Sequence, residues 1–482
     1  MKNGCRNTIV VRERSFRQND RNMREILATI ASGKAQAVQV RYHCRYCLRI
    51  GVENGRVTQL TATDTSGVGI RVLQNGIWGF STTSDTSLEN LKKTFTEAKQ
   101  AALSGQGKQE EFLLAGEPVT GNLTVQQTKP LSSVSLEEKL SLVRKTEEKM
   151  RQLSSKIVST AASYEELLDT KIIVTSSGAN VSYQDTKADF RALAFASDGT
   201  RLEYGRMTLS ATGGWEELFR HVKPEAVPEE AVRSAVEKLT AEPAPAGLYT
   251  VVLHPSLVGI LAHEAIGHTV EADFVLAGSI AGKFFQKKVA AEQVSIVDDP
   301  LPAKDTAASG VLLVDDEGNR TRVAVIIENG YLRGYLHDSR TAWLFHTKNT
   351  GNARAFTYRD EPLIRMRNTY VLPGVEKPEE IIAGTPSGLY LKGLGQSGQA
   401  DANAEFMFGV DQAWWIRDGK LASPVTGVTI SGNAFEVLSS VDKVGCDFLL
   451  DSGAGYCGKH QPAKVDAGGP HLRCQVKVGG NL

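Results

Sequence analysis

Two histidines five residues apart constrain the fold of this chain more than any other feature of its sequence. They are His263 and His268, the first and last residues of the sequence HEAIGH. Residues four apart lie about 40° apart around an ideal α-helix, whereas residues five apart lie roughly 140° apart. Both imidazoles can therefore face one side of a helix only if that helix is broken or bulged between them. We expect the irregularity at Gly267, because glycine tolerates backbone angles that other residues resist.

The residues around HEAIGH predict a buried helix. Residues 248–253 have the apolar run of a buried strand, residues 254–256 form a predicted turn with a proline near the helix start, and residues 257–274 form a predicted apolar helix. Two histidines and Glu264 inside such a helix would leave polar atoms without partners, and a metal ion would satisfy them. Ordinary core histidines are the simpler alternative. We favour a metal site of the kind found in metal-dependent hydrolases.

A third protein ligand is needed, because catalytic zinc generally takes three. Cys457 is the candidate that stands out, since glycines flank its segment and Lys459 would favour the thiolate that a metal requires. Taken alone, Cys457 is a weak signal. The other histidines and cysteines stay open as alternatives; they are His43, His221, His254, His337, His346, His460, His471, Cys5, Cys44, Cys47, Cys446 and Cys474.

Together, these segments resemble the TldD branch of the TldD/PmbA family, metalloproteases once called modulators of DNA gyrase. The resemblance rests on HEAIGH, on Glu-Ala-Asp at 271–273, and on Cys-Gly-Lys at 457–459. It extends from about residue 25 to the C-terminus. Further matching segments are residues 69–72, 76–80, 314–318, 334–338, 367–370 and 409–410.

The resemblance implies a zinc ion bound by His263, His268 and Cys457, with Glu264 as the general base. Such an ion lowers the pKa of its water to about 7, and a carboxylate beside a ligand can take the proton as the water attacks a peptide carbonyl. The TldE or PmbA branch lacks the HExxxH pattern, so this chain resembles the catalytic type. The family tail reads Cys-Gly-Lys-x-Gly-Gln, but here the glutamine directly follows His460, which is therefore a rival ligand or a neighbour of the ligands.

Substrate and assembly are also implied by the resemblance. The expected substrate is a peptide or unfolded protein, cleaved inside a cavity formed by a homodimer or by a heterodimer with a TldE- or PmbA-like subunit. His337 or Tyr335, in a predicted turn after a strand, is a candidate for stabilising the oxyanion, although an exposed turn histidine is usually solvated. The competing hypothesis is a non-catalytic, partner-binding regulatory subunit with a structural metal. The glutamate beside His263 argues against it, because a structural site has no need of that carboxylate.

Composition excludes several other classes of protein. The chain is 41% hydrophobic and 23% charged, with 55 basic and 55 acidic residues. No overall field would attract nucleic acid or an anionic membrane, so we expect direct binding to neither. No run approaches about 18 apolar residues, and the first twenty positions lack the apolar stretch of a signal peptide, so we expect a cytoplasmic location. Cys44 and Cys47 form one CxxC in a strand-like run, and we interpret them as incidental strand cysteines.

Chain length and a change in composition predict two domains. Prolines alternate with small residues near 242–247. We therefore expect an N-terminal mixed α/β domain over residues 1–240 and a C-terminal domain over residues 241–482. The second domain is predicted to be mostly antiparallel β, barrel- or sandwich-like, and to carry the HExxxH helix. The overall fold class is α+β.

Capping and turn signals place the smaller elements. Capping-box pairs, Thr86 with Glu89 and Ser135 with Glu138, open predicted helices over 87–103 and 136–153. A further helix is predicted over 228–239. Predicted hairpin turns are at 54–55, 75–76, 198–199, 329–330 and 418–419, and predicted strands after the metal helix are at 311–314, 322–327 and 331–336.

Overall fold

The computed structural model describes residues 20–105, 116–451 and 455–479, and its fold class is α+β, as the sequence predicts. The N-terminal half is built on one sheet. Its strands are β1 (Ala37–Glu53), β2 (Arg56–Gln74), β3 (Ile77–Thr83), β4 (Thr120–Thr124), β5 (Ile157–Thr175), β6 (Asn180–Ser197) and β7 (Leu202–Thr212). They pair in the order β3-β2-β1-β5-β6-β4, with β7 also on β6, and only β4 and β6 run parallel.

Helices cover one face of this sheet. They are α1 (residues 20–31), α2 (Leu88–Ser104), a 3-10 turn (Leu131–Ser133), α3 (Leu136–Leu153), α4 (Trp215–Leu218) and α5 (Ala226–Lys238). Val40 and Ile50 of β1 lie on this face and belong to apolar clusters shared with the helices. The opposite face, with Ile173 and Tyr183, packs against residues of the C-terminal half. The C-terminal half, which carries HEAIGH, therefore packs on the face opposite the helices, and it also contacts α5 through the ion pair of Lys238 with Asp411.

The helix caps test the sequence predictions closely. Ser135 and Glu138 form the predicted capping box, with both reciprocal hydrogen bonds present. The predicted box at Thr86 is wrong by one residue. Ser87 is the N-cap of α2, and its hydroxyl accepts from the N–H of Asn90 at 3.4 Å. The pair of Thr86 and Glu89 has the same spacing in the sequence as the pair of Ser135 and Glu138, but only the second pair forms a capping box. Spacing alone therefore does not decide which hydroxyl caps a helix.

The C-terminal half consists of strands linked by short helices. The strands are β8 (Glu242–Pro243), β9 (Gly247–Leu253), β10 (Ile296–Asp299), β11 (Ala324–Glu328), β12 (Tyr331–Leu332), β13 (Ala353–Arg354), β14 (Leu363–Ile364), β15 (Asn368–Val371), β16 (Ser387–Ala400), β17 (Glu405–Arg417), β18 (Lys420–Thr426), β19 (Thr429–Asn433), β20 (Lys443–Val444), β21 (Leu449–Leu450), β22 (Tyr456–Lys459), β23 (Gln461–Lys464), β24 (Asp466–Gly469) and β25 (Leu472–Gly479). The helices are α6 (Pro255–Ile260), α7 (Ala272–Leu276), α8 (Ala281–Phe284), α9 (Ser339–Leu344), α10 (Pro378–Ala383) and α11 (Ala434–Ser439).

Five of these strands close into a barrel. β16 pairs with β9, β9 with β25, β25 with β19, β19 with β17, and β17 again with β16. Only the pairing of β16 with β9 is parallel, so the predicted mostly antiparallel, barrel-like architecture is confirmed. A second sheet has the order β12-β11-β10-β15-β24-β21. The division into domains at residue 240 stays a prediction.

The largest apolar cluster joins the barrel to the helix that follows β9. Leu257, Leu261 and Ile266 of this helical stretch share the cluster with barrel residues such as Leu391 and Phe408. The stretch is therefore held in the core. None of the helices in the described ranges is long and apolar enough to cross a membrane.

One strand prediction is wrong and two are shortened. Val311, Leu312 and Val314 are buried, but the backbone of this segment bonds to loops, as when the N–H of Leu312 donates to the carbonyl of Pro300. An apolar run in the sequence indicates that a segment is buried, but a buried segment need not form the hydrogen bonds of a β-sheet. The strands predicted over 322–327 and 331–336 are found as β11 and the two-residue β12. The turn between them has positive φ at Asn329 and Gly330, as predicted.

Candidate metal centre

The helix that carries both histidines changes its hydrogen-bonding pattern where they lie. After α6, a π-helical turn covers Leu261–Gly267 and a 3-10 turn covers His268–Val270. In a π-helix each N–H bonds to the carbonyl five residues back, and the N–H of His268 donates to the carbonyl of His263. The bulge required by the spacing is confirmed. The continuous helix predicted over 257–274 is wrong, because Glu271 is extended and α7 begins after it.

Gly267 is needed for space, and its predicted role in backbone freedom is wrong. Its φ of −54° and ψ of −49° are ordinary for a right-handed helix. A Cβ at this position would lie 2.0 Å from Sδ of Met366, which is fully buried. The glycine therefore lets the segment with Met366 pack directly against the π-turn.

We expect Gly267→Ala to lower the free energy of unfolding by about 1–3 kcal/mol, the usual range for overpacking a core. Gly458→Ala is the matched control, since a Cβ there meets no atom within 4 Å. Chemical denaturation measures both variants. A denaturation midpoint for Gly267→Ala equal to that of wild type would show that the contact with Met366 is not what requires glycine.

Cys457 lies on a two-stranded ribbon, formed by β22 and β23, that pairs with no other strand of the described chain. A fully buried arginine, Arg365, holds the ribbon by its backbone. Its Nη2 donates to the carbonyl of Cys457 at 2.6 Å, and its Nη1 donates to the carbonyl of Gln461. The position of the thiol is therefore fixed through hydrogen bonds to the main chain around it.

Side chains of the N-terminal sheet also hold the ribbon. The hydroxyl of Tyr456 donates to Oε1 of Glu165 on β5 at 2.7 Å. Lys464 forms a buried ion pair with Asp189 on β6. Both halves of the chain thus contribute to the placement of Cys457.

The structure brings the side chains of His263, His268 and Cys457 together. Their potential ligand atoms all lie within 4.8 Å of one another. Sγ of Cys457 is 3.1 Å from Nε2 of His268, and the two imidazole centroids are 5.3 Å apart. A tetrahedral zinc ion separates two of its ligand atoms by roughly 3.5 Å. The cluster therefore has nearly the dimensions of a site for one ion.

The chemistry of the cluster fits zinc. Two imidazoles and a thiolate are ligands that zinc prefers. Among the described residues, neither ring nitrogen of His263 has a hydrogen-bond partner, although the residue is only 3% exposed. An unpartnered buried polar group is costly, and bonding to a metal removes that cost. The donor set and the unsatisfied imidazole therefore both agree with a metal site.

Charges within the cluster favour the thiolate. Burial alone would raise the pKa of Cys457, but the neighbouring His263 and His268 outweigh it and lower the pKa to about 5. Burial acts in the opposite direction on His268 and alone would lower its pKa. Hydrogen bonds to Cys457 and Glu271 outweigh this and raise the pKa of His268 to about 10. The contacts within the cluster therefore favour the ionised form of the sulfur, which is the form that a metal requires.

Buried charges surround His268 on its other side. Oε2 of Glu271, which is 0% exposed, lies 2.9 Å from Nδ1 of His268. Nζ of Lys459 is 3.3 Å from the same Oε2 and donates to both carboxylate oxygens of Asp273 at 2.8 and 2.7 Å. Contact with the carboxylate directs Nε2 of His268 toward Cys457.

Glu264 lies beside the cluster and reaches solvent. Its side chain is 36% exposed, and its Oε2 is 3.7 Å from Nε2 of His268. The carboxylate is thus close to a candidate ligand and accessible to a substrate. This is the placement that a general base needs.

Within the described residues, the other sequence candidates do not belong to this cluster, and Cys5 lies outside those residues. His460 is exposed at the turn of the ribbon, with φ of 60°, and does not belong to the three-residue cluster. His337 is buried, with Nδ1 3.2 Å from Oγ1 of Thr341, so the expectation of an exposed turn histidine is wrong. The hydroxyl of Tyr335 donates to the carbonyl of Ala281. A role for either residue at the oxyanion stays a prediction.

Two residues of the site, Glu271 and Arg365, have no role predicted from the sequence. Signals for both exist: Glu271 is an acidic residue three positions after His268, and Arg365 interrupts a buried stretch near Ile364 and Met366. A charge within an apolar run usually marks a buried partner.

The π-turn, the His/His/Cys cluster and the adjacent glutamate define a candidate metal-dependent hydrolase. Three family models match the chain: the PmbA/TldA metallopeptidase domain 1 over residues 39–102, the central domain over 129–239 and the C-terminal domain over 246–480. The chain therefore belongs to the PmbA/TldD family of metallopeptidases, in its TldD branch.

Curated relatives and solved structures agree with this assignment. A metalloprotease of Methanothermobacter thermautotrophicus is 34% identical over 89% of this chain and 92% of its own length. A zinc metalloprotease TldD homolog of Saccharolobus solfataricus is 30% identical over 86% of this chain and 90% of its own. TldE from Thermococcus kodakarensis has a TM-score of 0.78 at 18% identity, covering 95% of this chain and 100% of that one. A putative modulator of a DNA gyrase from Thermotoga maritima has a TM-score of 0.77 at 23% identity, covering 96% and 100%. At these identities the two structures show the shared fold alone.

Proposed function

We propose that this metallopeptidase is a zinc-dependent endopeptidase that cleaves unfolded or extended peptides. The observation that carries the proposal is the cluster of His263, His268 and Cys457 with Glu264 beside it. His263, His268 and Cys457 would hold the ion. One relative is named a zinc metalloprotease, which supports zinc as the metal.

Glu264 performs the proton transfers in this proposal. Bound zinc supplies a Lewis acid that polarises the peptide carbonyl and lowers the pKa of water. The carboxylate of Glu264 takes a proton from the water that attacks the carbonyl carbon and returns it to the nitrogen of the leaving amine. Glu271 holds His268 in one orientation throughout. The products are a carboxylic acid and an amine.

A partner subunit is part of the proposal. One protein of the same fold is named TldE, and this supports a TldE- or PmbA-like subunit as the partner. Pairing with a second copy of this chain is the alternative. A peptide or unfolded protein would be cleaved within the cavity so formed.

The ligand assignment is tested by zinc content. Purified without a metal-affinity tag, the wild type is expected to hold about one zinc per chain, and His263→Ala and Cys457→Ala are expected to lose it, because two remaining ligands do not retain catalytic zinc. His460→Ala is the control and should keep its zinc, since His460 lies outside the cluster. Elemental analysis measures all four proteins. Zinc retained in Cys457→Ala would contradict the assignment.

The activity is tested with an unfolded substrate such as reduced, alkylated casein. Cleavage is expected with the zinc-loaded protein, alone or with its partner subunit, and should stop on chelation and return with zinc. A zinc-loaded protein that cleaves nothing in either state would contradict the peptidase proposal and favour a regulatory subunit with a structural metal.

A further inference from the structure

The candidate ligands come from two separate segments, the π-turn and the ribbon. A buried lysine of the ribbon, Lys459, contacts a residue that follows the π-turn. Lys459 lies two residues after Cys457 on β22, so both side chains point to the same side of that strand. Its Nζ reaches Glu271, which is the residue that contacts Nδ1 of His268. Lys459 thus connects the ribbon with the π-turn.

We propose that Lys459 is a positioning residue, which holds the Glu271 carboxylate against His268 and so fixes the direction of the His268 ligand nitrogen toward Cys457. The inference rests on the proposed metal site. It assigns Lys459 a function distinct from that of the ligands and of Glu264.

Burial explains why the carboxylate needs this lysine. Glu271 is 0% exposed, and its Oε1 has no hydrogen-bond partner among the described residues. A buried carboxylate without a countercharge is strongly unfavourable. Lys459, itself 4% exposed, provides that countercharge at 3.3 Å.

The other contacts of Lys459 hold its ammonium in place. It donates to the carbonyl of Ile364 at 3.1 Å and to both oxygens of Asp273, and it lies 4.1 Å from the ring centroid of Phe274. All three protons of the ammonium group therefore have acceptors nearby, and residues of two other segments fix its direction. Such contacts around a ligating histidine usually change metal affinity about 10–100-fold.

Lys139 offers a matched control. Its side chain is also 4% exposed, and it also forms a buried ion pair, with Glu166 on β5. It lies on α3, on the helical face of the N-terminal sheet, and makes no contact with the ribbon or with Glu271 among those the structure describes. Loss of Lys139 therefore removes a buried lysine without disturbing the ribbon or the charge beside Glu271.

Cobalt binding to the metal-free protein tests the proposal without use of enzyme activity. Co²⁺ is titrated and read by its d–d and thiolate charge-transfer absorption, and Zn²⁺ affinity is obtained by competition. Lys459→Met is expected to raise the Kd for Co²⁺ about 10–100-fold. Lys139→Met is expected to stay within about threefold of wild type, because Lys139 shares no partner with the site. Wild-type affinity in Lys459→Met, or an equal loss in Lys139→Met, would overturn the proposal.

The double variant shows whether Lys459 acts through Glu271. In a Glu271→Gln background, Lys459→Met should raise the Kd no more than about threefold further, since the carboxylate it orients is already absent. This comparison also serves if Lys459→Met alone does not fold, because the double variant leaves no fully buried carboxylate without a countercharge, and the carboxylate of Asp273 is 37% exposed. A further tenfold loss would overturn the role. A wild type that binds neither Co²⁺ nor Zn²⁺ would instead overturn the proposed metal site, and the inference with it.

Discussion

Glu264→Gln is expected to lower kcat/KM for peptide cleavage by about 10²–10⁴-fold, the usual contribution of a general base, while zinc remains bound. Glutamine has nearly the size of glutamate but cannot take a proton from water. Glu264 is not one of the three clustered ligand residues, so its replacement should leave the metal in place. Initial rates on an unfolded substrate and zinc per chain by elemental analysis are measured on the same sample.

Glu148→Gln is the control for this substitution. Glu148 is exposed on α3, on the helical face of the N-terminal sheet. The Glu148→Gln protein should therefore cleave the substrate at the wild-type rate. Cleavage by Glu264→Gln at the wild-type rate would show that another residue transfers the proton. Zinc lost together with activity would show instead that Glu264 helps to hold the ion.

The second large effect concerns stability. Asp298 on β10 and Arg367, next to β15, form an ion pair in which both side chains are 0% exposed. Asp298 accepts from the N–H of Arg367 at 2.7 Å and from its Nε at 2.8 Å, and also from Thr369 at 3.0 Å and Asn352 at 2.8 Å. Asp298→Asn leaves a buried guanidinium without its countercharge, and we expect the free energy of unfolding to fall by about 3–5 kcal/mol.

Denaturant titration measures the loss of stability in Asp298→Asn, and a variant of an exposed ion pair serves as the control. Glu380→Gln removes a partner of Lys377, and both side chains are largely exposed, so the change there should be below about 1 kcal/mol. Equal effects of the two substitutions would contradict the importance of burial for the Asp298 pair.

Acid should weaken the same buried pair. Burial alone would raise the pKa of Asp298, but Arg367 outweighs it and holds the pKa below the ordinary 3.8. A carboxyl whose folded pKa is lowered stabilises the fold fully above its unfolded pKa, and this contribution is lost as the pH falls through the folded value. We therefore expect the stability gap between wild type and Asp298→Asn to be constant near neutral pH and to narrow below about pH 4. Melting curves from pH 7 to pH 3 measure it, and a gap unchanged at pH 3 would contradict the assignment.

The sequence predicts the bulge in the helix between the two histidines, but it does not show why Gly267 is needed there. The spacing of His263 and His268 requires a bulge, because helix geometry is the same in every chain. The reason for Gly267 depends on Met366, about a hundred positions later, and no local pattern contains that contact. Tertiary packing decided the role of this glycine.

The third candidate ligand shows a similar limit. The sequence around Cys457 gives only a weak signal, and the family resemblance implies Cys457 as the ligand but leaves His460 as a rival. The structure separates the two, because the turn of the ribbon exposes His460 and turns Cys457 inward. Alternation along a strand predicts opposite faces for neighbouring residues, but the sequence does not show which face meets the π-turn. Arg365, which fixes the ribbon, lies 92 residues from Cys457 and could not be paired with it from the sequence.

The isolated ribbon of β22 and β23 has a kinetic consequence. Two of the candidate ligands lie on the helical stretch that follows α6, whereas the third lies on a ribbon that pairs with none of the three larger sheets among the described residues. Segments held by a few side-chain contacts open at a lower free energy than the whole fold. We therefore expect zinc to exchange through brief excursions of the ribbon, at a rate governed by that local opening. The lifetime of the bound ion and the lifetime of the folded chain would then be separate properties, each open to change by mutation without the other.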